Sequence, residues 1–229
     1  MTDDFIQEMQ EEQRRERLMG AARRFGVAAV VIVILGLVGG GMWYWRHHAA
    51  IVSQQKASVR YFAALRSLEA ASAGQDAQSQ RKEADSILAD LSATAPEGIR
   101  TYARMRLADL RLQAGDKKAA LDLWSKVESD HKAESSLRDL ALYLSLNAQS
   151  GEKSDAELRK GYDSLIQKGG SFAPLAREGL VALDLKPNNT ADQRKEAKRL
   201  LIEIQSSADS SEALRQRAGL LLKTLGDVK

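Results

Sequence analysis

The sequence predicts an all-α protein: a single transmembrane helix followed by an α-solenoid of antiparallel helix pairs. Three observations carry that prediction. Residues 25–45 read FGVAAVVIVILGLVGGGMWYW, 21 positions without a charged side chain. From residue 79 onward, amphipathic segments of helical period alternate with short turns, and Ala84, Ala120 and Ala156 recur at intervals of 36 residues, as do Gly115 and Gly151. Alanine and leucine are abundant while aromatics make up 5% of the chain, a composition that favours helices over strands.

The apolar run has the length of a membrane span. As a helix it covers roughly 32 Å, close to the ~30 Å hydrocarbon thickness of a bilayer, and a helix satisfies its own backbone hydrogen bonds in lipid. A cleavable signal peptide has a shorter apolar core, about 7–15 residues, that ends at a small-x-small site. Here the run closes on Trp43, Tyr44, Trp45, Arg46, His47 and His48, an aromatic belt followed by interfacial polar groups. Ala49 and Ala50 form a poor cleavage site, so an uncleaved signal anchor is expected. Arg14, Arg15, Arg17, Arg23 and Arg24 precede the span, while only Arg46, Lys56 and Arg60 follow it closely. That asymmetry places the N-terminus in the cytoplasm. The chain thus divides into a charged cytoplasmic tail (1–24), a transmembrane helix (25–45) and an exported helical domain (46–229). Within the span, Gly36 and Gly40 form a G-x-x-x-G pair that suits close packing on another membrane helix, a route to a homodimer or to docking on a membrane partner. Glycine is also common in membrane helices without any such role.

Charge and cysteine content exclude several classes. The chain holds 34 basic and 31 acidic residues, and residues 1–46 contain six of each, which leaves 28 against 25 in the exported part. That balance gives no broad electrostatic footprint for nucleic acid. The absence of cysteine removes disulfides, thiol nucleophiles and cysteine metal sites.

Taken in order, residues 3–24 are a charged run in which Glu11 and Glu12 precede Arg15 at helix-supporting spacings. It reads as a solvated helical tail or as a docking handle for a partner. Beyond the span, residues 47–73 lack proline and glycine, and Val59, Phe62, Leu65 and Leu68 fall at helical spacing. The membrane helix is therefore expected to continue outward as far as Gly74 and a polar loop reaching Ser79. Helical segments follow over 81–96, 97–116, 117–130 and 134–152, then over 154–170, 171–185, 190–207 and 210–226. Gly115 is expected to end one helix in the left-handed conformation and Asp116 to cap the next. Pro96 marks a position where a helix cannot continue. Ala84 and Ala120 allow close approach of antiparallel helices, and Trp124 fills the gap between neighbouring pairs. Asp209 and Ser210 are expected to cap the final helix, with Gly226 just past its end.

Leu107, Ala108, Gly115, Asp116, Ala120, Trp124 and Val127 resemble a tetratricopeptide (TPR) repeat, and Ala84, Leu88, Leu91 and Pro96 resemble the second half of another. Arg111 stands where that pattern has an aromatic, and Lys132 where it has a proline. The likeness implies a concave groove lined by the first helix of each pair. Projected onto this chain, the groove takes Tyr102, Met105, Asp109 and Gln113 from one unit and Arg138, Ser145 and Gln149 from the next. Tyr102 and Met105 suit an apolar segment, and Arg138 and Asp109 suit the orientation of a peptide. The alternative is that all seven are ordinary solvent-facing residues.

Catalytic signatures are missing. No G-x-S-x-G, H-E-x-x-H, phosphate loop or G-x-G-x-x-G occurs. His47 and His48 point about 100° apart on a helix and lack a third ligand, and His131 falls in a turn between helices. The glycines at 169–170 are expected to form a turn. Catalytic residues, cofactors and metal ligands are therefore expected to be absent, and the domain reads as a binding module rather than an enzyme.

The whole layout resembles the YfgM-like family of bacterial inner-membrane proteins, which are ancillary subunits of the SecYEG translocon. A short charged tail, one span ending in WYWR and a single exported TPR-like domain carry that resemblance, together with the tail FIQEMQEEQRRERLMGAARRFG. It implies a periplasmic helper in a chaperone network. Its partners would be the Sec translocon, a membrane-anchored peptidyl-prolyl isomerase chaperone and exported client proteins. A structural scaffold for envelope assembly or cell division, bound to one fixed partner, is the competing expectation.

Overall fold

The computed structural model describes Tyr44, Trp45, His48, residues 51–74 and residues 76–226. The tail over 1–24, nearly all of the expected span and the Gly36–Gly40 pair lie outside the described residues. Among the described residues no helix is long and apolar enough to cross a membrane. The chain divides into two compact units, one ending at Gln55 and one beginning at Lys56. In the first, the rings of Tyr44 and His48 stack with centroids 6.1 Å apart.

Regular structure among the described residues is all-helical. Residues 51–73 form α1, of which 56–73 belong to the second unit. There follow α2 (Ala77–Thr94), α3 (Glu97–Gln113), α4 (Lys117–Glu128), α5 (Ser135–Ala148), α6 (Asp155–Lys168), α7 (Ala173–Asp184), α8 (Ala191–Ser206) and α9 (Glu212–Leu225). From α2 to α9 each substantial interface joins helices consecutive in sequence. That is solenoid-like packing, in which each element is stabilised by its chain neighbours.

Local chemistry sets the boundaries. Ala95 is extended and Pro96 precedes the first turn of α3, so α2 and α3 cannot fuse. Gly115 adopts φ +83°, the left-handed region that closes α3, and the Asp116 carboxylate then accepts from the Ala119 N–H at 3.1 Å to open α4. Ser154 and Glu157 form a capping box at α6, as Thr190 and Gln193 do at α8. The Ser154 hydroxyl and N–H, both donating to the Glu157 carboxylate, hold it below the usual carboxylate range. Two boundaries depart from expectation. The cap of α9 is Ser211, whose Oγ accepts from the Leu214 N–H at 3.3 Å, whereas Ser210 is buried. The α2 helix begins at Ala77, so the loop before it is shorter than the polar composition suggests.

The interior is built on small residues. Ala64, Ala84, Ala103, Ala108, Ala120 and Ala141 are fully enclosed, and Leu88, Leu91, Trp124 and Val127 fill the space between them. The apolar spacing in α1 misplaces its buried face. Val59 and Phe62 are 66% and 60% exposed, while Ala57, Ala64 and Ala71 at heptad spacing face inward. Alanine lets α1 lie close to its neighbours, with Tyr61 and Leu68 partly buried beside it and Val59 and Phe62 outside.

Two apolar clusters result. One gathers residues from α1 to α5, Ala57 and Ala141 among them, and the other runs from Leu146 on α5 to Ala218 on α9. In the second, α6 and α7 approach through glycine. A Cβ on Gly179 would lie 2.6 Å from the Tyr162 ring, and one on Gly161 would lie 2.4 Å from a Leu146 methyl. The Tyr162 hydroxyl donates to the Asn147 side-chain Oδ1 at 2.7 Å. Burial pushes the Tyr162 phenol up to about 12, with Tyr143 adding to the rise. One carboxylate, Asp184, is 1% exposed at the end of α7 and pairs with Arg159 of α6.

Gly179→Ala is expected to destabilise the domain. Overpacking against the tethered ring costs ~1–3 kcal/mol, more than the ~1 kcal/mol gained in helix propensity. Gly98→Ala, where a Cβ would meet nothing within 4 Å, is expected to stabilise α3. Thermal melts of the two variants check both signs. For Tyr162, a folded pKa above the unfolded one contributes stability that is fully present below about pH 10 and lost as pH rises toward 12. The stability difference between wild type and Tyr162→Phe, followed by urea titration, should therefore hold steady to pH 10 and shrink above it.

Candidate protein-binding surface

One surface feature joins aromatic rings to a cleft and lies between α1 and α3. On α3, Thr101, Ala103, Leu107 and Ala108 turn inward, which leaves Tyr102, Asp109 and Gln113 on the opposite face at helical spacing. Tyr102 is 44% exposed. Its ring lies 6.4 Å from that of Tyr61 on α1, and Tyr61 in turn lies 5.9 Å from Phe62. The three rings form an aromatic ledge, which Val59 continues along α1. Burial is the main cause that raises the Tyr61 phenol pKa, opposed by the Arg106 charge and reinforced by Tyr102. Tyr61 is therefore a neutral hydrogen-bonding group at physiological pH.

Beside the ledge, residues of α1, α2 and α3 enclose a cleft of 230 Å³. Leu65, Leu68 and Leu110 supply its apolar part, while Glu69, Arg81, Arg106 and Asp109 supply two charges of each sign. The Gln113 amide donates to the Asp109 carboxylate at 3.1 Å, and Arg106 lies 3.5 Å from the same oxygen. With two charges of each sign, the cleft carries no net charge. Met105 packs partly buried against the first apolar cluster.

The α5 residues stand apart from these. Leu137, Ala141 and Leu144 face the first cluster and Leu142 and Leu146 the second, so Arg138, Ser145 and Gln149 occupy the strip between two covered faces. Each is half-buried. The Gln149 amide donates to the Ser145 hydroxyl at 2.8 Å and to the Ser145 carbonyl at 2.9 Å. Arg138 borders a different cleft, of 470 Å³, between the start of α5 and the turn at residues 169–172. In that turn Gly169 and Gly170 both take positive φ. The structure thus joins Tyr102, Asp109 and Gln113 to α1 and joins Ser145 to Gln149. Among the described residues no hydrogen bond or ion pair links the α3 set to the α5 set. No cluster of three or more His, Asp or Glu is placed to hold a metal ion among the described residues.

Sequence reasoning missed Tyr61, with Phe62 beside it, as the partner of Tyr102. The signal was present in the heptad of alanines at 57, 64 and 71, which marks the buried face of α1 and leaves Phe62 outside. Fold and surface together define a class, an all-helical solenoid-like domain with an exposed aromatic ledge beside an amphipathic cleft. Comparison with protein-family models, with curated proteins and with solved structures returns no match.

Since the ledge is exposed, its removal should leave the fold intact. Phe62→Ser and Tyr102→Ser are expected to change stability by about 0.5 kcal/mol or less, the range of ordinary surface substitutions. Leu107→Ala, in the core behind them, is expected to cost ~2–5 kcal/mol. Chemical denaturation of the three variants makes the comparison.

Proposed function

We propose that this chain is a membrane-anchored protein-binding module with a TPR-like domain, ancillary to the Sec translocon, that assists exported proteins as part of a chaperone network. The observation that carries the reading is the Tyr61–Phe62–Tyr102 ledge beside the α1–α3 cleft. Large aromatics exposed next to a partly apolar depression suit the capture of an extended or partly folded polypeptide, because they bury much area at little conformational cost. The helical hairpins, with Gly115–Asp116 and Ser154–Glu157 at their turns, support the TPR-like assignment. In this reading residues 25–45 span the inner membrane, the N-terminus is cytoplasmic and the helical domain works in the periplasm. Gly36 and Gly40 would pack on a membrane partner or a second copy.

A photoreactive amino acid at Tyr102 or Phe62, activated in living cells, tests the proposal. Crosslinks to a broad set of exported proteins and to translocon components are expected. A single stoichiometric envelope partner would favour the scaffold instead, and recovery of neither translocon nor exported chains would overturn the reading. Tyr102→Ala combined with Phe62→Ala should weaken client binding about tenfold or more.

A further inference from the structure

We propose that the junction of α5 and α6 is a hinge, on which α6–α9 swing as one body against the helices that precede them. Four observations converge on it. The interior of the domain is split in two, and α5 alone contributes to both apolar clusters, with Ala141 in one and Leu146 in the other. The α5–α6 interface is the thinnest among the consecutive helix pairs from α2 to α9. What crosses it is Leu146 seated at Gly161, the partly buried Leu142 and Tyr143, whose ring lies 6.4 Å from that of Phe172, and polar bonds that can break and re-form. These are Tyr162 to Asn147 at 2.7 Å and Lys168 to Asp139 at 2.8 Å. The connection itself is short and contains Gly151 at φ +101°, a conformation that only glycine adopts without strain.

The physical consequence follows from how such joints move. Packed cores are stiff, so displacement concentrates where buried apolar contact is least and where polar partners can exchange with water. Rotation there leaves the first cluster intact and shears the second only along its α5 edge, where Leu146 slides within its notch. The 470 Å³ cleft bordered by Arg138 and the turn at residues 169–172 straddles the junction, so its width changes with the angle. Arg138, whose Nε is buried without a hydrogen-bond partner, lies on the strip between the two clusters. The ledge of α1 and α3 lies wholly on one side of the hinge. The domain can therefore adjust the distance between a ligand held there and its C-terminal helices by shifting only the α5 edge of the second core.

The absence of native cysteine makes the test direct. Spin labels on the full-length chain in mild detergent, at exposed positions Ser86→Cys and Lys195→Cys, report the distance across the hinge. The pairs Ser86→Cys with Ser125→Cys, and Lys160→Cys with Lys195→Cys, report within each body. The distance distribution across the hinge is expected to be about twice as wide as either internal one. Tyr162→Phe, which removes the bond to Asn147 and keeps the ring, should widen only the crossing distribution. A crossing distribution as narrow as the internal pairs would overturn the proposal. So would equal broadening of all three.

Discussion

Consecutive helices in this domain approach one another at alanine. Ala64, Ala84, Ala103, Ala108, Ala120, Ala141, Ala176 and Ala197 are each completely enclosed, and around them larger residues such as Leu88, Trp124 and Leu158 fill the remaining volume. A small side chain at a crossing lets helix axes draw near the lower end of their ~8–10 Å range, and the flanking ridges then interlock. Because each helix from α2 to α9 packs chiefly on its chain neighbours, the fold is a series of such crossings. Where the series changes character, so does the domain. At α5–α6 the close approach is made by Gly161 against Leu146, and polar bonds accompany a smaller interface.

Charge plays a narrower part. Arg111–Asp85, Lys168–Asp139 and Arg177–Glu203 each bridge neighbouring helices at 2.8–3.0 Å, but all retain solvent exposure. Pairs of that kind contribute ~0–1 kcal/mol and act mainly on register. Arg111 shows the effect plainly. It stands where a TPR pattern has an aromatic, and it ties α3 to α2 through Asp85 instead. Asp184 differs because it is almost completely buried beside Arg159. Loss of that arginine would leave an uncompensated charge in the interior, which makes the pair a constraint on how α6 and α7 can pack.

Helix existence was legible throughout α2–α9, since each apolar stripe was bounded by a glycine, a proline or a capping residue. Gly115, Asp116 and Gly226 perform the roles their positions implied. The misplaced faces share one cause, that spacing gives a face but not which face is covered. In α1 two stripes compete, one of alanine and one of Val59, Phe62, Leu65 and Leu68. Hydrophobicity favours the second, whereas close packing requires the first. The same ambiguity separates Tyr102 from Arg138. Both have helical registers compatible with a groove, but Arg138 lies on the strip of α5 between its two apolar faces, whereas Tyr102 lies on the face of α3 turned away from its core residues. Where on a helix the free face falls depends on the directions its neighbours come from, and that is a property of the assembled stack.

The two ends of the stack explain why the candidate surface lies where it does. The C-terminal helices also expose apolar side chains, Ile202 at 58% and Leu220 at 63%. Ile202 stands alone on a face of α8 shared with Lys195 and Arg199, both exposed. Leu220 borders a wide depression with Glu212, Arg215 and Lys223. Neither brings aromatic rings together. On α1 and α3, by contrast, three aromatics adjoin leucines and a balanced set of charges. An isolated exposed aliphatic is ordinary on a folded surface, but clustered aromatics beside a cleft concentrate the area that a bound polypeptide can bury. The same alanine heptad that packs α1 inward is what turns Phe62 outward. The crossing that builds the fold therefore also creates its exposed aromatic ledge.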